Sequence, residues 1–310
     1  MSNQYADAFV FAPQKCGTTA LYWILDQHPE VNSSINKEVS FMNRIPEMIP
    51  CDERDTPEED LERFIHAVNH WLKELKVEIR RWYNVNWETN DRTRVDISPL
   101  YFSSAKSIYS SYHLCPFFQG LNNICITRDP IERFVSHYVH ERATAYIATN
   151  PEVESKFVQD INWADLWYKQ KEWFLQDTYR HVSANDYNFD QVLFSRYLLP
   201  GNYGANLCYK TMLNCTEERT NGYSHDLLHI EYDDFKNDYD KTIHTILKFL
   251  GLSTDVKLDN VKTNESSFWK KYYDASEELT PKFLDKVKEY YKESNEIFKQ
   301  LSGIDYNERY

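Results

Sequence analysis

The segment Pro13-Gln14-Lys15-Cys16-Gly17-Thr18-Thr19-Ala20-Leu21 holds the residue types most able to do chemistry. It follows the apolar run Ala8-Phe9-Val10-Phe11-Ala12 and leads into Leu21-Tyr22-Trp23-Ile24-Leu25. That order predicts a buried strand, a tight loop and a helix. Such a loop aims backbone N–H groups and a helix N-terminus at one point, where an anion can sit. Lys15 adds a full positive charge, and the Thr18 and Thr19 hydroxyls add short hydrogen bonds to anionic oxygens. An ordinary strand-to-helix turn is the plainer alternative. The nucleotide loop G-x-x-x-x-G-K-[ST] is absent, because the lysine stands two residues before the glycine and none precedes the threonine pair. The loop therefore reads as an anion cradle, but not as that of an ATPase or GTPase.

A second stretch offers related chemistry. Arg128-Asp129-Pro130-Ile131-Glu132-Arg133-Phe134-Val135-Ser136-His137-Tyr138 follows the strand-like Asn123-Ile124-Cys125-Ile126-Thr127. Pro130 suits the first position of a helix and Asp129 the cap before it. Arg128 then stands at a strand end beside a helix N-terminus, with Ser136 two turns along on roughly the face of Asp129 and Arg133. A capped helix with Glu132 and Arg133 as surface charges is the plainer alternative. Taken with the first loop, the stretch makes a pair of phosphate-type cradles at neighbouring strand ends. Such a pair fits a nucleotide with anionic groups at both its 5′ and 3′ positions.

The elements that must position these residues alternate along the chain. Further strands are expected at Arg94–Ser98 and Asp226–Tyr232, and helices over 52–81, Ile131–Ala145, Trp163–Tyr179, Tyr239–Leu250 and Pro281–Leu301. Short strands between helices predict a single α/β domain with a central, mainly parallel sheet. Ligands of such sheets bind at the carboxyl ends of the strands, where both cradles fall.

Composition narrows the class. The chain has 310 residues, 42% of them hydrophobic and 15% aromatic, enough for a substantial core. Its six cysteines lack C-x-x-C spacing, so neither a metal site nor a disulfide framework is indicated, although Cys208 and Cys215 could bridge in an oxidising compartment. No apolar run approaches the roughly 18 residues of a membrane span, and Met1–Asp7 is not a signal peptide. A cytoplasmic protein is expected, or else a soluble luminal fragment of a longer anchored parent such as a Golgi protein. The net charge of −13 argues against holding nucleic acid or a polyanionic glycan along the surface. It favours a small neutral or cationic partner.

The first loop resembles the 5′-phosphosulfate loop of PAPS-dependent sulfotransferases (PAPS is 3′-phosphoadenosine 5′-phosphosulfate), and Arg128–Tyr138 resembles their 3′-phosphate motif. The nearest branch is that of the heparan sulfate N- and 3-O-sulfotransferases. Lys37–Asn43, Asp96–Phe102, Leu199–Tyr203, Phe249–Leu252 and Ser267–Trp269 fall in the same order, so the resemblance spans most of the chain and makes 1–310 one P-loop-like sulfotransferase domain.

The resemblance implies sulfuryl transfer from PAPS to an acceptor hydroxyl or amine, giving PAP without a metal. It makes Lys15 the residue that stabilises the departing bridging oxygen and Glu38 the general base. His66, His70 and His137 stand in reserve, because histidine is the base in other branches. Gln14, Lys15, Cys16, Gly17, Thr18, Thr19 and Ala20 would hold the 5′ group and Arg128 and Ser136 the 3′-phosphate. Tyr203 and Trp269 would line the adenine or 3′-phosphate region. Two departures bear on the acceptor. Asp96-Ile97 stands where the relatives carry Glu-Lys, and their cysteine-bounded basic loop after Phe-Trp is replaced by Lys270-Lys271-Tyr272-Tyr273. Both weaken a heparan-type glycan as acceptor and favour a small molecule. A small-molecule kinase on the same cradle is the alternative from another class, with the missing G-K-[ST] and the lack of an evident Mg²⁺-holding carboxylate against it. A non-catalytic nucleotide-binding protein is a third.

Overall fold

The computed structural model describes residues 6–39, 59–102 with short interruptions, 122–149, 197–206 except 205, 227–261 and 266–310. In chain order its main elements are β1 (Ala8–Phe11), α1 (Thr18–Asp26), β2 (Val31–Asn32), α2 (Leu72–Asn86), β3 (Thr93–Ile97), β4 (Asn122–Thr127), α3 (Pro130–Thr149), β5 (Leu227–Glu231), α4 (Tyr232–Asn237), α5 (Tyr239–Phe249), α6 (Ser266–Trp269) and α7 (Pro281–Ser302). The five strands form one parallel sheet in the order β2-β3-β1-β4-β5.

β1 takes the centre because it is apolar on both faces, as a parallel strand covered by helices must be. Ala8 and Val10 join a core with Leu21, Ile24 and Leu25 of α1 and Ile243, Ile246 and Leu247 of α5. Phe9 and Phe11 lie on the opposite face, with ring centroids 5.9 and 6.2 Å from that of Tyr101. The chain leaves β1 toward β2 and β3 on one side and leaves β4 toward β5 on the other. The carboxyl ends of β1 and β4 therefore flank the point where the strand order diverges, the crevice in which such sheets take ligands.

The expected strands over 94–98, 123–127 and 226–232 and the helices over 131–145, 239–250 and 281–301 appear within a few residues of their expected ends. Residue 226 lies outside the described residues, and Tyr232 starts α4 rather than ending β5. The two-residue β2 is an unforeseen fifth strand, too short to carry an alternation pattern. Of the expected helix over 52–81, residues 52–58 and several up to 71 lie outside the described residues, and α2 runs on past Arg81 to Asn86, because the next turn has aromatic rings to bury. Tyr83 is fully buried, with its ring centroid 4.6 Å from that of Trp87 just beyond the helix. The expected helix Trp163–Tyr179 lies outside the described residues.

A second core joins α3 to α7 through Phe134, Tyr138, Val287 and Tyr291 and takes in Trp269 of α6. The segment 197–204 is pressed onto α7 by two glycines. A Cβ on Gly201 would lie 2.6 Å from the Tyr291 hydroxyl oxygen, and one on Gly204 only 2.1 Å from the Ser294 carbonyl oxygen. Between them Tyr203 is fully buried and points its hydroxyl at the end of β4. Because the Ser294 carbonyl belongs to a helix backbone that cannot yield cheaply, Gly204→Ala is expected to cost about 1–3 kcal/mol. Thermal unfolding should show it as a lowered midpoint, and an unchanged midpoint would mean that this segment does not pack on α7.

Candidate active site

The loop after β1 has an unusual backbone. Lys15 has φ +73°, and it is the one described non-glycine residue with positive φ. Gly17 follows at +85°, and Cys16 between them has ordinary φ. Holding an L-residue in the left-handed region costs about 1–2 kcal/mol, and such strain concentrates where a site needs its geometry. Gly17 is also the N-cap of α1, so no side chain there caps the first-turn N–H groups. A Cβ at Gly17 would stand 2.9 Å from the Tyr232 ring. The left-handed φ and this close approach together demand glycine.

Arg128 leaves the end of β4 beside this loop. Its Nη1 donates to the Lys15 carbonyl oxygen at 3.4 Å, and its guanidinium carbon lies 4.8 Å from the centroid of the Tyr232 ring. Nε and Nη2 donate to Glu132 Oε2 at 3.3 and 2.9 Å. Asp129 caps α3 as its place before Pro130 predicted, accepting from the Ile131 and Glu132 backbone N–H groups at 2.9 Å each. The Tyr203 hydroxyl donates to the Arg128 carbonyl oxygen at 2.8 Å and lies 4.0 Å from Cys16 Sγ, so one buried ring braces both loops.

The electrostatics centre on Lys15. Burial, with the nearby charges of Arg128 and Lys37, pulls its ammonium down to about 7, and Glu141 partly opposes the shift. Its Nζ lies 5.9 Å from the centroid of the Trp269 ring. The His140 ring meets the same indole edge-on at 4.3 Å, and burial, with the charges of Lys15 and His137, lowers that imidazole to about 3. His140 is therefore neutral at physiological pH. The Cys16 thiol is fully buried and pushed up to about 11 by desolvation, so it is neither an anion nor a nucleophile.

The structure brings together Gln14, Lys15, Cys16, Gly17, Thr18, Thr19, Ala20, Arg128 and Tyr203, with Trp269 against the lysine. Ser136 is buried in α3, two turns from its cap. Glu38 lies just past the bend that follows β2, with its carboxylate contacted by Lys37. His137 is buried, 3.5 Å from Arg133 Nη1 through Nδ1 and 3.2 Å from Glu141 Oε1 through Nε2. His66 and His70 sit exposed on helical residues before α2, and residues 40–43 of the Lys37–Asn43 stretch lie outside the described residues.

Two residues went unnoticed in the sequence. Tyr232 carries no motif, and only the fold lays its ring beneath Arg128. His140 had a readable signal, one helical turn beyond Ser136 on the same face. Among the described residues, no three His, Cys, Asp or Glu side chains group as a metal site would, and no helix is long and apolar enough to cross a membrane.

Three comparisons bear on identity. The family model described as "Sulfotransferase domain" matches residues 6–299. No curated protein gives a significant sequence match. Among solved structures, the chain is similar to a sulfotransferase from Alicyclobacillus acidocaldarius at 17% identity and TM-score 0.55, covering 97% of this chain and 96% of that one. It is more distantly similar to the sulfotransferase domain of a Synechococcus olefin synthase, at 17% identity and TM-score 0.41 over 94% and 96% of the two chains. A mouse sulfotransferase complexed with PAP stands at 14% identity and TM-score 0.41 over 97% and 91%. The family match over residues 6–299 establishes that this chain belongs to the sulfotransferase family.

Proposed function

We propose that the chain transfers a sulfuryl group from PAPS to a hydroxyl or amine of a small neutral or cationic acceptor, releasing PAP. One observation carries this reading. Lys15 and Arg128, from separate motifs, meet at adjacent parallel strand ends, with Arg128 Nη1 3.4 Å from the Lys15 carbonyl oxygen. The left-handed Gly17, which leaves the start of α1 without a side-chain cap, suits close approach of an anionic group. A donor with anionic groups at both ends fits such a pair. The whole of 1–310 is taken as one domain, supported by the family match over 6–299 and by α7 packing back on α3. The cytosol is taken as its compartment on the sequence reading alone.

PAPS supplies an activated sulfuryl group: the acceptor oxygen or nitrogen bonds to sulfur as the S–O bond to the 5′-phosphate breaks. In this reading Gln14, Cys16, Gly17, Thr18, Thr19 and Ala20 hold the 5′ group, Arg128 and Ser136 the 3′-phosphate, and Tyr203 and Trp269 shape the surroundings. The Lys15 ammonium stabilises charge on the departing bridging oxygen, the kind of donor whose loss costs about 2.7–4 kcal/mol of transition-state stabilisation. Glu38 takes the acceptor proton, a role typically contributing roughly 10²–10⁴-fold. His140 is a second candidate for that proton by its place against the Trp269 ring that also meets Lys15, although the burial that keeps its imidazole neutral also weakens it as a base.

For the acceptor, the position where the heparan branch carries Glu-Lys is instructive. Ile97 is buried, and the Asp96 carboxylate is fully buried under the hydroxyls of Ser98, Tyr101 and Tyr83 at 2.8, 2.9 and 3.0 Å. No cation stands at that pair to meet a sulfated glycan. A kinase reading gains no support, since the loop lacks the G-K-[ST] lysine.

Calorimetry should show PAP binding well and AMP or ATP poorly; tighter binding of ATP with Mg²⁺ than of PAP would replace this reading with the kinase. Lys15→Met should lose about 10²–10³ in kcat. Glu38→Gln should abolish PAPS turnover over a panel of acceptors while PAP affinity holds. Turnover retained there but lost in His140→Asn would assign the proton to His140.

The lowered Lys15 pKa sets a pH dependence. Binding an anion requires the ammonium form, which the free chain holds fully only below about 7. PAP affinity should therefore be greatest below that value and fall as pH rises through it, by up to about tenfold per unit. Lys15→Met should flatten the profile, and a wild-type affinity constant from pH 6 to 9 would show that the amine does not meet the anion.

A further inference from the structure

Residues 306–310 lie beyond the stretch that the family model matches, and the reading above gives them no part. Three side chains there each hold a residue adjoining Arg128, or adjoining the ring on which Arg128 lies. The buried Tyr306 hydroxyl is 2.9 Å from Thr127 Oγ1, on the residue before Arg128. The Tyr310 hydroxyl donates to Asp129 Oδ1 at 3.0 Å, on the residue after it. Arg309 spans Glu231 and Asp233, with Nη2 2.5 Å from Glu231 Oε2 and Nη1 3.1 Å from Asp233 Oδ2. Those two carboxylates stand on either side of Tyr232, whose ring underlies the Arg128 guanidinium.

The segment is anchored in turn. The Tyr306 ring stacks on Phe298 of α7 at 5.7 Å, the Arg309 guanidinium carbon lies 4.8 Å from the Tyr306 ring centroid, and Lys299 pairs with Asp305 at 2.5 Å. Charge gives the arrangement a purpose. Glu231 and Asp233 unpaired would be two negative charges beside a site meant for an anion, and they would compete for Arg128. Arg309 engages both. Tyr310, on the carboxylate that caps α3, fixes the residue that directly follows Arg128.

We infer that Tyr306, Arg309 and Tyr310 form a clamp that positions Arg128 for the 3′-phosphate of the donor. They are positioning residues, and the inference rests on the PAPS reading. The clamp acts on one end of the donor, so its loss should be felt by PAP and not by AMP, which lacks the 3′-phosphate.

Arg309→Gln and Tyr310→Phe test this in the full chain, with calorimetry for PAP and AMP and with KM for PAPS against kcat. Arg309→Gln should weaken PAP about two- to fivefold, the scale of a partly exposed ion pair, with AMP binding and kcat at saturating PAPS unchanged. Tyr310→Phe, which removes one hydroxyl and leaves the packing, should act in the same direction more weakly. Arg309→Lys should restore part of the PAP affinity. Equal weakening of PAP and AMP would overturn the clamp in favour of a merely structural role, and so would unchanged PAP affinity in both variants. A wild-type chain that does not prefer PAP to AMP would instead overturn the donor reading on which the inference rests.

Discussion

Lys15 and Arg128 carry like charges and are nevertheless held side by side at the ends of β1 and β4. Their repulsion bears on the lysine itself, whose ammonium is drawn down to about 7 first by burial and then by the arginine. The surroundings make the proximity tolerable. Glu132 takes two guanidinium N–H groups, the Tyr232 ring accepts the guanidinium face, and the Lys15 carbonyl turns toward Arg128 because the lysine backbone adopts left-handed φ. An anion shared between the two cations would relieve the same repulsion more directly. The strain in the loop, the glycine that admits a ring edge and the buried tyrosine that braces both loops all serve this pairing.

The elements that build the pairing were legible where the chain states its intent locally. β1 is apolar at every position, and the loop and helix that follow it come in the expected order. Asp129-Pro130 announces a helix start by cap chemistry alone, and the capping bonds appear as expected. Tyr203, expected to line the adenine or 3′-phosphate region, is fully buried, and its hydroxyl reaches the backbone at Arg128.

What escaped the sequence is non-local. Tyr232 comes to Arg128 from more than a hundred residues away in the chain, and Tyr310 reaches Asp129 from farther still. No spacing rule encodes either contact. β2 is two residues long and exists only because β3 offers it an edge. His137, a reserve base by type, is occupied by Arg133 and Glu141, whereas His140 one turn on shares the Trp269 ring with Lys15. A helix places residues 137 and 140 some 60° apart, and only the packing of α3 against α6 and α7 decides which one sees the loop.

The net charge of −13 gives this architecture its last constraint. A donor bearing several negative charges gains no long-range attraction from such a chain, and charges beyond about 8 Å are screened in physiological salt. Affinity must then come from contacts inside the crevice, where low dielectric makes a charge–charge contact stronger than at the surface. Half-burying Lys15 is consistent with that need, although it lowers the amine's pKa. Disposing of nearby carboxylates is the complementary need. Glu231 and Asp233 are taken by Arg309, and Asp96 is sunk beneath three hydroxyls, where burial raises it to about 6 against their opposing pull. An acidic protein can hold a polyanion on these terms only if its own anions near the crevice are each tied to a partner.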